Sequence, residues 1–77
     1  MYIETFAQKL IQARKDAGYT QETAAGLMGI NRNTLASYET GRNEPKIEML
    51  GKLADFYEVS TDWLIGTKGT NRITERR

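Results

Sequence analysis

The stretch TQETAAGLMGINRNTLASYETGRNEP, residues 20–45, holds two short helical patterns joined by a very tight link. Thr20 is a good N-cap for the earlier of these two helices, which is the second of the chain, and Gly29 supplies the left-handed residue that ends it. Asn31 caps the later one, the third of the chain, which Gly41 terminates. Because only two residues separate the second helix from the cap of the third, the two helices must cross at a steep angle.

Two helices joined steeply by a tight glycine turn form the helix-turn-helix unit. An ordinary corner in a helical bundle has the same geometry, so the link by itself leaves both interpretations open.

Three further helices are predicted around this pair. Apolar residues at helical spacing mark the first helix, which Gly18 ends, and the fourth, which Pro45 opens. Ser60 caps a last short turn with the sequence TDWLIG. No segment alternates as a strand does, so the sequence predicts an all-α, compact five-helix domain over residues 1–66. The inward positions are Phe6, Ala7, Leu10, Ile11 and Arg14 in the first helix, and Ile47, Leu50, Leu53, Ala54 and Tyr57 in the fourth.

The 77 residues include neither cysteine nor histidine. This excludes disulfides and thiolate metal ligands, and it removes the commonest zinc ligand and the commonest general base at neutral pH. There is no glycine-rich phosphate loop and little room for a substrate cleft, so an enzyme is the poorest fit. We therefore expect no catalytic residue, no metal, no cofactor and no small-molecule ligand.

The charge of the chain is unevenly distributed. Residues 1–66 carry seven Lys/Arg against nine Asp/Glu, a net −2, whereas residues 67–77 carry four against one, a net +3. The basic end is predicted to be a flexible tail, a linker to another domain, or an arm that follows DNA phosphates. No apolar run approaches the roughly 18 residues that span a bilayer, and no signal peptide is evident, so we expect a soluble cytoplasmic protein without membrane contact.

The third helix, about residues 32–40, has one side that carries only short polar groups, a methyl and one guanidinium. At about 100° per residue this side spans an arc of about 140°, with Leu35 and Tyr38 on the opposite, core side. A solvated helix face usually shows Lys/Glu pairs four residues apart, and this one shows none. Groups of these kinds suit the major groove of DNA, where they bond to or pack against base edges. The predicted base-reading residues are Arg32, Asn33, Ala36 and Ser37.

Donor groups lie at both ends of this face. Gln21 opens the second helix, where unpaired backbone N–H groups and the helix dipole favour a phosphate. Further polar residues surround the exit of the third helix and could hold the opposite DNA backbone. Each of them alone is equally well explained as a solvated loop residue, but together they bracket the face. The predicted phosphate contacts are Gln21, Thr40, Arg42, Asn43 and Lys46.

Arg14 and Glu39 are predicted to form an ion pair that holds the third helix against the first. Arg14 follows Leu10 and Ile11 on the inward side of the first helix, and Glu39 borders the core side of the third. Loss of one partner from a buried pair leaves an uncompensated charge, which costs about 3–5 kcal/mol. Two unrelated surface charges are the alternative.

The stretch 20–45 resembles the Cro/C1-type helix-turn-helix domain of phage repressors and bacterial regulators, the XRE family. LGKLADFYEVSTDWLIG, residues 50–66, looks like the fourth and fifth helices of that domain, so the likeness covers residues 6–66. It implies a lambda-repressor-like fold that binds a double-stranded DNA operator, commonly as a homodimer, with Thr34 near the DNA backbone. The expected function is transcriptional regulation, in particular repression in a phage or mobile element. The likeness also implies Gln21, Thr40 and Arg42 as phosphate contacts, Arg32, Asn33 and Ser37 as base readers, and Arg14 with Glu39 as the ion pair.

The sequence departs from the family pattern inside the second helix. Ala24 stands where leucine is usual. Gly26 lies inside the helix, where glycine should lower the stability by about 1 kcal/mol relative to alanine. Leu27 occupies a position that is usually polar. It is expected either to fold over the second helix or to contact another chain.

A protein-interaction module, such as an antitoxin or a bridging factor, is the competing prediction. Its anchors would be Leu27, Trp63, Leu64 and Ile65, although Trp63 also suits the core. The segment TDWLIG is equally a candidate for a homodimer contact.

Overall fold

The structure of the protein is a computed structural model that describes residues 3–66. All five predicted helices are present, and this part of the chain contains no strand. The prediction of a basic tail at residues 67–77 lies outside the described residues. The helices are α1 (Ile3–Asp16), α2 (Gln21–Met28), α3 (Arg32–Glu39), α4 (Ile47–Tyr57) and α5 (Thr61–Ile65).

Each predicted N-cap makes the hydrogen bond that defines it. The backbone N–H of Thr23 donates to Thr20 Oγ1 at 3.1 Å, and that of Asn33 donates to Asn31 Oδ1 at 2.7 Å. Ser60 Oγ accepts from the third residue after it at 3.0 Å. These short polar side chains satisfy backbone donors that have no partner inside the helix, so the helix starts are encoded locally.

The α2–α3 link has the geometry that its glycine requires. Gly29 adopts φ 75°, a left-handed conformation that L side chains rarely tolerate. The backbone N–H of Ile30 then donates to the carbonyl oxygen of Ala25 at 3.0 Å, closing the end of α2. The Ile30 side chain is partly buried against the core, so the corner is packed as well as hydrogen-bonded.

The core is built from buried side chains of all five helices. α1 packs against α3 and α5, α2 packs against α3, and α4 packs against α5. As a result the inner side of α3 is enclosed while its outer side is left at the surface. The largest fully buried side chains are Phe6, Leu10, Leu35, Leu53 and Leu64.

Two apolar predictions are wrong. Ile47 has the right helical phase for the core but is 86% exposed, because it is the first residue of α4 and the core does not extend that far along the helix. Leu64 was a candidate partner contact, yet its side chain is fully buried and it belongs to the core. It is therefore unavailable to a partner in this fold.

The other candidate partner contacts differ in exposure. Leu27 is 61% exposed on α2, whereas Ile65 is half-buried on α5. Trp63 is partly buried against the core, and the Lys9 ammonium lies 4.5 Å from its ring centroid. The core interpretation of Trp63 is thus favoured. None of the helices within residues 3–66 has the length and apolarity needed to cross a membrane.

Candidate nucleic-acid interface

The two sides of α3 differ sharply in exposure. Arg32 and Asn33 are exposed, and Ser37 is half-buried at the surface one turn later. On the opposite side, Leu35 is 0% and Glu39 is 4% exposed. The outward face predicted from helical projection is therefore at the surface. Thr34 and Ala36 are half-buried, and Thr40, the C-cap of α3, is exposed.

An open groove of about 780 Å³ runs between α3 and the start of α4. Most of the residues predicted to contact DNA line it, although they come from α3, from the following loop and from the residue before α4. The fold thus brings together side chains that the sequence spreads over more than a dozen positions. Those lining residues are Asn33, Thr34, Ser37, Arg42, Asn43 and Lys46.

The groove also contains residues that helical projection does not identify. Tyr38 is predicted to belong to the core; it does pack against the core, but it is half-buried and also lines the groove, so the prediction is only partly right. Lys52 and Met49 reach the same groove from α4, on the side of the helix that also carries Glu48. Their spacing of three and four residues places them on one helical face. The sequence contains that periodicity but does not say which face of α4 meets α3.

A second concavity, of about 550 Å³, surrounds the N-terminus of α2. Gln21 and Arg32 both line it, as expected if Gln21 lies beside the first residue of α3. The Gln21 amide Nε2 also donates to Glu39 Oε1 at 2.9 Å. This bond uses one of the two amide hydrogens and holds the side chain in place. The other hydrogen remains available to an acceptor at the helix N-terminus.

The predicted Arg14–Glu39 ion pair is present. Arg14 donates through Nε to Glu39 Oε2 at 2.8 Å and through Nη2 to Glu39 Oε1 at 3.1 Å. A third bond runs from Nη1 to the carbonyl oxygen of Tyr19 at 2.9 Å. The hydrogen bonds to Glu39 raise the pKa of Arg14 above its usual value despite its partial burial. This two-point pairing joins α1 to α3 and fixes the orientation of α3.

Tyr57 of α4 lies close to this ion pair. Its side chain is buried, and within residues 3–66 its hydroxyl has no hydrogen-bond partner. Burial raises the pKa of Tyr57 to about 12, with a further contribution from the negative charge of Glu39. The neutral phenol is therefore the stable form at ordinary pH.

Two hydroxyl groups, of Ser37 in α3 and of its C-cap Thr40, donate to the backbone of α3. Ser37 Oγ donates to the carbonyl oxygen of Thr34 at 2.7 Å. Thr40 Oγ1 donates to the carbonyl oxygen of Ser37 at 3.2 Å. Both protons are thus engaged inside the helix, in contrast to the exposed N–H groups of Arg32 and Asn33.

Comparison with known proteins agrees with this architecture. The helix-turn-helix family model matches residues 10–64. The HTH-type transcriptional regulator ImmR of Bacillus subtilis is 38% identical over 71 residues, covering 92% of this chain and 56% of ImmR. The cryptic phage CTXphi transcriptional repressor RstR of Vibrio cholerae is 36% identical over 66 residues, covering 86% of this chain and 60% of RstR.

A solved structure supports the same fold. The crystal structure of the restriction-modification controller protein C.AhdI from Aeromonas hydrophila matches with a TM-score of 0.74 and 29% identity. The match covers 80% of this chain and 94% of that chain.

Fold and surface together define a helix-turn-helix domain in which α2 and α3 form the unit and α3 presents the polar face. Within that class, the chain belongs to the Cro/C1-type, or XRE, helix-turn-helix family. It spans between 56% and 60% of the length of the two curated relatives named above.

Proposed function

We propose that this chain is a sequence-specific, double-stranded DNA-binding transcriptional regulator that inserts α3 into the major groove. The observation that supports the proposal is the polar outer face of α3, which borders a groove lined by the basic residues Arg42, Lys46 and Lys52. Amide side chains and two glutamates, Glu44 and Glu48, line the same groove. A major groove about 12 Å wide admits one α-helix, and such a face brings the helix backbone close to the base edges.

The exposed residues of α3 have complementary roles in this proposal. Arg32 bonds bidentately to the O6 and N7 of guanine, and Asn33 bonds to the N6 and N7 of adenine. Ala36 packs its methyl group against a thymine methyl, while Ser37 bonds to a base edge. All of these side chains are on the accessible side of α3 or at its border.

Phosphate contacts flank the base readers. Gln21 and the N-terminus of α2 bind one DNA strand, because backbone N–H groups and the dipole there attract an anion. Arg42, Asn43 and Lys46 bind the other strand from the far end of the groove. We add Lys52, whose side chain lines the same groove. Thr34 and Thr40 complete the set, although Thr40 can donate to a phosphate only by giving up its bond to Ser37.

The near-neutral net charge is compatible with this function. Phosphate contacts release counterions locally, so individual basic side chains such as Arg42, Lys46 and Lys52 suffice even though Glu44 and Glu48 line the same groove. Among the relatives, RstR is a phage transcriptional repressor, which supports repression in a phage or mobile element as the role of this chain. We further propose binding as a homodimer, with Leu27 and Ile65 as the remaining candidates for contact between chains.

Selection of bound duplexes from a random pool tests the proposal. We expect one enriched motif, with two related half-sites about 10 base pairs or a multiple apart if a dimer binds. An enriched motif without symmetry would contradict binding as a homodimer but would still support a sequence-specific regulator. Recovery of no preferred sequence, with binding that depends on salt alone, would contradict sequence-specific recognition.

A further inference from the structure

The direction of one hydrogen bond distinguishes Ser37 from the other proposed base readers. Its hydroxyl lies 2.7 Å from the carbonyl oxygen of Thr34, one turn earlier in α3, and donates to it. Ser37 is half-buried and lines the groove between α3 and α4, so the residue borders the proposed DNA site.

A serine hydroxyl has one proton to donate and two lone pairs that accept. With the proton committed to the helix backbone, Ser37 offers only lone pairs to an outside partner. Donating to DNA would require the short bond to Thr34 to break. Acceptance leaves that bond intact and adds a second one to the same oxygen.

The surrounding groups strengthen this asymmetry. Thr40, on the same side of α3, likewise gives its proton to a backbone carbonyl. Arg32 has a guanidinium that donates only, and Asn33 has both donor and acceptor atoms. Outward donors on α3 therefore come from Arg32 and Asn33. Ser37 and Thr40 both present lone pairs on short side chains, and of the two only Ser37 lines the groove.

We infer that Ser37 reads its base by accepting a hydrogen bond from an exocyclic amine, which is N4 of cytosine or N6 of adenine in the major groove. The O6 of guanine, the O4 of thymine and the purine N7 are acceptors and do not satisfy it. This inference rests on the proposed function, in that α3 must enter the major groove. It goes further by assigning the chemical polarity of one contact.

Base analogues that each remove one group test the inference on the selected duplex. Purine in place of adenine lacks the N6 amine, and 2-pyrimidinone in place of cytosine lacks the N4 amine. The 7-deazapurines lack N7, and 2-aminopurine in place of guanine lacks O6. Dissociation constants are measured for the parent and for Ser37→Ala on every duplex, so that effects of an analogue on the duplex itself cancel between the two proteins.

We expect one amine deletion to weaken binding of the parent by about two- to tenfold, the range of a single neutral hydrogen bond. The same deletion should leave Ser37→Ala unchanged relative to the natural duplex. Arg32→Ala serves as the matched control, because its guanidinium should couple to a deleted acceptor, N7 or O6, at another base. That control shows that lost acceptors are detectable.

Coupling of Ser37 to a deleted acceptor would overturn the inference, because the hydroxyl would then be donating to DNA. Absence of coupling at every amine would overturn it as well, while the proposed function would survive on the Arg32 result. If the parent protein selected no preferred sequence from the random pool, the proposed function itself would be overturned. The inference that Ser37 contacts a base would be overturned with it.

Discussion

The inner and outer sides of α3 differ in burial and in hydrogen bonding. On the inner side, Glu39 is buried and accepts three side-chain hydrogen bonds, two from Arg14 and one from Gln21. On the outer side, Arg32 and Asn33 are exposed, and their side chains make no hydrogen bond within residues 3–66. One helix of eight residues thus has an inner side fixed by the fold and an outer side on which Arg32 and Asn33 stay unpaired.

This difference indicates how stability and recognition are divided. Buried, paired groups contribute to the free energy of unfolding, whereas exposed, unpaired groups contribute little to it and remain available to a ligand. Substitutions on the two sides should therefore separate loss of folding from loss of DNA binding.

Glu39→Ala should have the largest effect. It leaves the Arg14 guanidinium, whose side chain is 13% exposed, without its carboxylate, and it also removes the partner of Gln21. We expect the free energy of unfolding to fall by about 3–5 kcal/mol, measured by urea denaturation. Glu48→Ala removes an exposed carboxylate and is the control, with an expected change within about 0.5 kcal/mol. Equal effects of the two would mean that the ion pair does not hold α3.

Arg32→Ala should have the opposite profile. Binding to the selected operator should weaken by about 1–3 kcal/mol, and preference at one base pair should relax. The free energy of unfolding should change by less than about 0.5 kcal/mol, because the side chain is exposed. Gln21→Ala, in comparison, should weaken binding to all sequences alike. A large loss of stability in Arg32→Ala would erase the distinction between the two sides.

Tyr57 gives the inner region a pH dependence. Its raised pKa means that the folded state retains the phenol proton between the usual value of 10.0 and about 12. The contribution of the neutral phenol to the free energy of unfolding is therefore fully present below pH 10. It is lost as pH rises, by about 2 kcal/mol at pH 12. Tyr57→Phe should remove this dependence and should be close to the parent in stability at pH 7, since the hydroxyl has no partner in the described residues. Parallel stability curves for the two proteins up to pH 12 would contradict this assignment.

Lys52→Gln tests how far the outer region extends onto α4. If Lys52 contacts a phosphate, the slope of log binding constant against log salt should decrease in magnitude by about 0.9. Lys9→Gln removes the same charge at a side chain that lies over the Trp63 ring, so its slope should stay at the parental value. Identical slopes for both variants would exclude a Lys52 contact.

The smallest expected effect is a gain. A Cβ added at Gly26 in α2 meets no atom within 4 Å, and its backbone is helical. Gly26→Ala should stabilise the protein by about 0.4–1 kcal/mol, measured by urea denaturation. Gly29 has equally open surroundings but φ 75°, so Gly29→Ala should destabilise by about 1 kcal/mol or more. If both variants were stabilised, backbone conformation would not be the deciding factor.

Much of the fold could be predicted because its rules are local. Thr20, Asn31 and Ser60 cap the helices they precede, and Gly29 ends α2 in the left-handed conformation. These preferences act within four or five residues and need no distant partner. One helix end is less evident from the sequence: α4 ends at Tyr57, and its C-cap residue Glu58 adopts φ 57° without being a glycine.

The candidate site could be predicted less completely. Helical projection was enough to identify the outer side of α3, since the periodicity of one helix determines which residues share a face. Lys52 and the surface position of Tyr38 were missed, because they depend on how α4 packs beside α3. Helical projection also could not predict that the Ser37 hydroxyl donates to the Thr34 carbonyl oxygen, because that hydrogen bond depends on the side-chain rotamer.

The sequence by itself determined the helices, their caps, the steep α2–α3 corner and the polar side of α3. Local backbone chemistry and a period of 3.6 residues are sufficient for these features. Only the tertiary structure decided that Ile47 is exposed, that Leu64 is buried and that Gln21 joins the Arg14–Glu39 pair. Those outcomes depend on which distant segments meet and on where the core ends, and helical spacing contains neither piece of information.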